Sequence, residues 1–185
     1  MFATALSILL TLLGALTLRM EAQLVNPGSA ALQQFQDHID AYLKLRKAAA
    51  AEVPKLKPTE SAENLAENKR LLAENIRRAR TGATQGTVFS REITTEFRRL
   101  AQIAMQGENA PRVHRSLLRA EPVLVPLRVN DAYPAAVPLQ SMPPTLLLNL
   151  PRLPMELEYR LIGKTLALRD VDANLIIDFI PGAIP

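Results

Sequence analysis

"LEYRLIGKTLALRDVDANLIIDFI", Leu157 to Ile180, is the stretch on which the fold turns. Two apolar-rich runs flank Gly163-Lys164, the pattern of a two-residue hairpin turn with glycine first. Tyr159 and Leu161 alternate with Arg160 and Ile162, so the first run predicts a strand with one buried face. Beyond the hairpin, Asp170, Asp172 and Asn174 fall at alternate positions, and Asp178 follows four residues later. That spacing raises the question of a divalent-cation cage. A calcium loop of the EF-hand type needs oxygen ligands at its first, third and fifth positions, a glycine at the sixth and a glutamate at the twelfth. Counted from Asp170, the sixth position is Leu175 and the twelfth is Pro181, so both decisive positions fail. Asp170, Asp172 and Asn174 stand only as weak metal candidates. A fold ending explains more. Either Asp170 caps a short terminal helix, or Asp172 and Asn174 form a turn that returns "LIIDFI" as a third strand. In both cases Leu175, Ile176, Phe179 and Ile180 pack onto the hairpin, and Arg160 or Arg169 pairs with one of the aspartates.

Upstream, prolines divide the chain. Four of the fourteen precede residue 121 and ten follow it, so a helical part gives way to short extended pieces and turns. A first helix is expected from an N-cap at Ser29 to about Ala51, with Leu32, Phe35, Ile39, Tyr42 and Leu43 on its buried face. A second begins near Thr59 or Ser61, turns Leu65, Leu72, Ile76 and Ala79 inward, and stops at Gly82. A third is capped by Ser90, buries Ile93, Phe97, Leu100 and Ala104, and ends at Gly107. A shorter fourth runs from about Pro111 to Ala120 with Val113 and Leu117 inward. "RTGATQGTVF" (80–89) reads as a loop. The first three helices are expected to pack antiparallel, since each carries one apolar stripe and the linkers are short. After Glu121, "VLVPLRV" (123–129) reads as an extended edge segment, and "PPTLLLNLPRLP" (143–154) as a short helix with an extended exit. The fold class is therefore α+β: an antiparallel helical unit of three to four helices, a Pro-rich strap and a small C-terminal β-hairpin element, packed as one domain.

The start is of another kind. Ala5 to Leu18 carries no charge, and fourteen helical residues span about 21 Å, short of the ~30 Å of a membrane core. This reads as a signal peptide over residues 1–22, with cleavage after Ala22 favoured over an uncleaved anchor or a buried N-terminal helix, ahead of a helical region (23–120) and a Pro-rich and hairpin region (121–185). The expected location is periplasmic or secreted, with no stable membrane span after cleavage. The 185 residues contain no cysteine, which removes disulfides, thiolate metal sites and thiol catalysis. Net charge is +4 and uneven: residues 29–120 hold sixteen Lys/Arg against ten Asp/Glu, whereas residues 121–185 hold five against seven.

"LPRLPMELEYRLIGKTLALRDVDANLIIDFIPGAIP" (150–185) and "NPGSAALQQFQDHIDAYLKLRK" (26–47) resemble short exported bacterial proteins to which no activity is assigned. The resemblance implies export and single-domain size and transfers no site residue.

Catalytic signals are thin. His38 sits near Asp37 and Asp40, at the edge of the first helix's buried face, and His114 lies among arginines. Ser90 and Ser116 are available as nucleophiles, but no strand-turn-helix nucleophile motif and no phosphate-cradling glycine loop occurs. No cofactor is implied. Arg77, Arg78, Arg80, Arg91, Arg98 and Arg99 form a basic set without the aromatic or amide readers of a nucleic-acid surface, so nucleic acid is not expected as a partner. Arg77, Arg78, Arg80, Arg98 and Arg99 are instead the candidate interaction face, toward another envelope protein or an anionic envelope surface. The functional expectation is an exported, non-enzymatic interaction module. The alternative is a small hydrolase or metal-dependent enzyme using His38 and His114, or Asp170 and Asp172.

Overall fold

A computed structural model describes residues 26–55, 61–106, 110–111, 115, 126–135 and 142–184. The expected signal segment 1–22, His114, Ser116 and most of the fourth helix lie outside the described residues; Ala110, Pro111 and Arg115 are helical.

Helix α1 (Pro27–Ala51) is the spine. Its cap is Asn26 rather than Ser29: the Asn26 Oδ1 accepts the Gly28 N–H at 3.0 Å, and Pro27 takes the first helical position. Proline there has its backbone angle already set and lacks an N–H that would have no partner, so the helix starts early. Helix α2 (Ala62–Ala79), capped by Ser61, runs antiparallel to the C-terminal half of α1. Asn75 donates to the Ala49 carbonyl and Asn68 to that of Pro54. Helix α3 (Arg91–Ala104), capped by Ser90, runs antiparallel to the N-terminal half, where Ser90 donates to Gln34. Gly28 lets α3 approach closely, since a Cβ there would meet the Glu96 carboxyl at 3.0–3.1 Å.

Two inward expectations on α2 are corrected. Its buried row is Leu72, Ile76 and Arg80, which leaves Ala79 exposed at the edge of that row. Leu65, in the first turn of α2, is also exposed, at 47%.

A six-residue helix α4 (Pro144–Asn149) packs against α3 and leads into the sheet. Strands β1 (Leu157–Ile162), β2 (Thr165–Asp170) and β3 (Leu175–Ile180) form an antiparallel meander in sequence order. Ile162 pairs with Thr165 across Gly163-Lys164, and the φ of +58° at Gly163 is the conformation that a glycine-first turn requires. The last segment is a strand, not a helix. Asn174 adopts φ +53° at the end of the 171–174 turn, and the Asp170 carboxylate accepts the Ala173 N–H across it at 2.8 Å.

The two sheet faces are covered differently. Leu157, Tyr159, Leu161, Leu166, Leu168, Leu175, Ile177 and Ile180 share one core with the helices. At its centre Phe35, Phe89 and Phe97 meet with ring centroids 4.9–5.7 Å apart, and Tyr159 abuts Phe97 at 6.0 Å. The opposite face, with Ile162, Ala167 and Ile176, is covered by Leu127 and Tyr133 of the strap. The strap thus packs on the far side of the sheet from the helices. Its residues 126–129 form no strand; Ala132 alone makes a bridge, to Leu175 at the β3 edge.

Candidate functional site

The seam between helices and sheet gathers the buried charges. Asp170 and Asp178 are both fully buried, on strands β2 and β3. Between β2 and β3 the register slips by one residue: Leu168 pairs with Asp178, and Arg169 pairs with Ile176. Ile177 is the extra residue, so Ile177 and Asp178 both turn toward the helices.

Asp178 is held by main-chain donors. Its Oδ2 accepts the N–H groups of Val88 at 2.7 Å and Phe89 at 2.8 Å, and its Oδ1 accepts those of Gly86 at 3.0 Å and Phe179 at 2.8 Å. Gly86 reaches this position with φ +92°, which favours glycine. Arg80, also buried, donates to the carbonyl of the slipped residue Ile177 at 2.9 Å and lies over the Tyr42 ring at 5.4 Å. Burial lowers the Arg80 pKa, with the nearby Tyr42 and Asp178 opposing that fall.

Asp170 is held by side chains. Tyr42 Oη donates to its Oδ2 at 2.6 Å and Arg46 Nε at 2.7 Å, while Arg46 Nη2 reaches Asp172 at 2.6 Å. Burial first, and then the Asp170 charge, push the Tyr42 hydroxyl far above its ordinary range. Burial acts against the Arg46 charge, but the bonds to Asp170 and Asp172 outweigh it and raise its pKa.

This placement answers the question of the acidic tail. The partner of Asp170 and Asp172 is Arg46 of α1, not Arg160 or Arg169. Arg160 pairs with Glu158, and Arg169 pairs with Glu158 and donates to Asn174 Oδ1 at 2.6 and 2.9 Å. A guanidinium therefore stands at each oxygen set proposed for a cation. Among the described residues no group of three or more His, Asp or Glu side chains converges as a metal site.

His38 lies near the middle of α1, and its Nδ1 is 2.8 Å from the Val88 carbonyl. A carbonyl only accepts, so Nδ1 carries the proton. Val88 is thus fixed twice, through its N–H by Asp178 and through its C=O by His38. His38, Tyr42, Arg80, Thr81 and Thr87 line a cavity of about 280 Å³ with a largely aliphatic remainder. Ser90 serves as the α3 cap.

The candidate arginine face does not hold together as one surface. Arg80 is buried. Arg77 donates to the Asn130 carbonyl at 2.9 Å and Arg98 to that of Pro181 at 2.8 Å, tying helices to strap and tail. Arg78 pairs with Glu52, and Arg99 with Glu96. Sequence reading missed Tyr42, Arg46 and Asp178 as site members. The available signal was charge placement: Arg46 and Asp178 each sit within an otherwise apolar pattern.

Comparison with known proteins adds no assignment: no family model, no curated protein and no solved structure matches the chain.

Proposed function

We propose that the chain is an exported, non-enzymatic interaction module, periplasmic or secreted, that meets another envelope protein or an anionic envelope surface. The observation that supports this most is how the buried charges are used. Asp170, Asp178, Arg46 and Tyr42 bind one another or main-chain groups that fix helices to sheet, an arrangement that fastens. The charge left for a partner is basic: the helical region carries the surplus of Lys/Arg, and the Arg78 and Arg99 side chains remain 70% and 56% exposed despite their ion pairs. Two measurements test this. N-terminal sequencing of the protein from fractionated cells is expected to find the envelope form beginning after Ala22; intact Met1 in a cytosolic form would overturn export. Co-sedimentation with vesicles is expected to favour anionic over neutral lipid and to fall with added salt. Equal affinity for both would remove the anionic surface as the partner.

A second reading, a small hydrolase, is favoured by one observation: His38 faces a cavity shared with Tyr42 and Arg80. On that reading His38→Ala abolishes turnover of an ester panel while the far-ultraviolet circular dichroism is unchanged. For the metal-dependent form, elemental analysis before and after a chelator wash decides the matter, since Asp170 and Asp172 would then release stoichiometric calcium or zinc.

A further inference from the structure

The two edges of the sheet are not alike. At β3 the strap closes the edge: Asn130 N–H donates to the Ile176 carbonyl at 2.8 Å, Ile176 N–H to that of Asp131 at 2.9 Å, and Tyr133 N–H to that of Asn174 at 2.9 Å. At β1 nothing among the described residues pairs with the strand on its outer side.

Which backbone groups face outward there follows from the hairpin. A two-residue turn makes Ile162 and Thr165 a bonded pair, so alternate residues back along β1, Arg160 and Glu158, bond to β2. Val171 N–H donating to Glu156 O continues that row, whereas Leu157 N–H turns away to Pro154 O. The N–H and C=O groups of Tyr159 and Leu161 therefore point to the open edge. A groove of about 450 Å³ runs along it, lined by the four successive residues Leu157, Glu158, Tyr159 and Arg160 and, from the segment before β1, by Met142, Leu147 and residues 151–153. Successive side chains of a strand point to opposite faces, so a groove that meets all four lies against the backbone edge. Leu157, Tyr159 and Leu161 each keep 4% exposure, where Ala167 and Leu168 of the central strand keep none. Leu147, which lines the same groove, is 48% exposed, and Met155, two residues before β1, is 90% exposed.

The charges select the occupant. Through β1 and its turn the charged residues read Glu156, Glu158, Arg160, Lys164, acidic first and basic last. A second β1 laid antiparallel brings acidic half against basic half; a parallel one brings like against like. We propose that the chain forms a two-fold homodimer by antiparallel pairing of β1 with β1 of a second copy, Tyr159 opposite Tyr159. In that register Glu158 faces Arg160 of the other copy, Leu157 faces Leu161, and Glu156 lies diagonal to Lys164. In that register the N–H and C=O of Tyr159 bond their counterparts, and Leu161 N–H reaches the Leu157 carbonyl of the other copy, while Leu157 N–H stays with Pro154. A register shifted by two, with Tyr159 opposite Leu161, sets Arg160 against Arg160 and is disfavoured. The product is a continuous six-stranded sheet. This inference stands apart from the envelope partner proposed above.

Glu158 and Arg160 also pair within one chain, so the test uses Glu156 and Lys164, whose side chains carry no ion pair among the described residues. Sedimentation equilibrium of the purified chain at micromolar concentration is expected to show a dimer that weakens with salt. Lys164→Glu or Glu156→Lys alone sets like charges together at both symmetric contacts and loosens the dimer about ten-fold. Mixing the two single variants restores opposite charges at both contacts, so a heterodimer tighter than either homodimer is expected. Circular dichroism of each variant reports that folding is retained. A monomeric parent, single variants that dimerise like the parent, or a mixture that stays monomeric would each overturn the proposal.

Discussion

Asp170 and Asp178 are both buried carboxylates on the helix-facing side of the sheet, yet they are satisfied in opposite ways. Asp178 collects four main-chain amides, three of them from the single loop segment 86–89. Asp170 collects a phenol, a guanidinium and one amide, with the guanidinium shared with Asp172. Amides are fixed by the path of the backbone and survive truncation of their own side chains, so the loop is shaped around Asp178. Side chains are replaceable one at a time, so the Asp170 cluster is a joint whose members fail separately.

The contrast breaks most sharply at Asp178. Asp178→Ala strands the buried N–H groups of Gly86, Val88 and Phe89, and is expected to cost about 4 kcal/mol in urea denaturation, with the loop losing amide-exchange protection first. A loss below about 1 kcal/mol would show that water replaces the carboxylate freely. Arg46→Ala comes next, at about 3 kcal/mol, because it leaves Asp170 buried beside only a neutral phenol and one amide.

Alkaline pH acts on the Asp170 cluster without mutation, through Tyr42. The folded pKa of Tyr42 lies above the unfolded value of 10.0, so its contribution is complete below that pH and drains away as pH climbs through the folded value. Tyr133 and Tyr159 are raised too, both by burial, and these are the three tyrosines of the chain. Ultraviolet titration is thus expected to show tyrosinate appearing together with unfolding rather than before it. Amides do not titrate there, so exchange protection of residues 86–89 is expected to persist until that global step. The smallest effect belongs to Asp172→Ala. Its side chain is 58% exposed, and the loss is expected at no more than about 1 kcal/mol, vanishing in high salt.

Local signals were legible in the residues. The glycine-first turn at Gly163-Lys164, the caps Ser61 and Ser90, and the Phe35, Ile39, Tyr42 stripe all follow from bonds made within a few positions of each other. Asn26 displaced Ser29 because a proline stood beside it. The partners of the aspartates were not legible. Arg46 lies 124 residues from Asp170, and Val88 lies 90 from Asp178, so the pairs exist only once helices meet sheet. For the same reason Arg80 read as a surface charge. A helical period places it on the inner row, but only the extra residue in β3, with its spare carbonyl, makes that position acceptable to a cation.

The one-residue slip in β3 also orders events in time. The carboxylate that shapes residues 86–89 follows Val88 by 90 residues, so a nascent polypeptide emerging from the ribosome holds all three long helices before it holds the anchor that locks them. Completion of the core waits for the final strand to clear the exit tunnel. A chain built this way cannot close its core until the residues of β3 have been made.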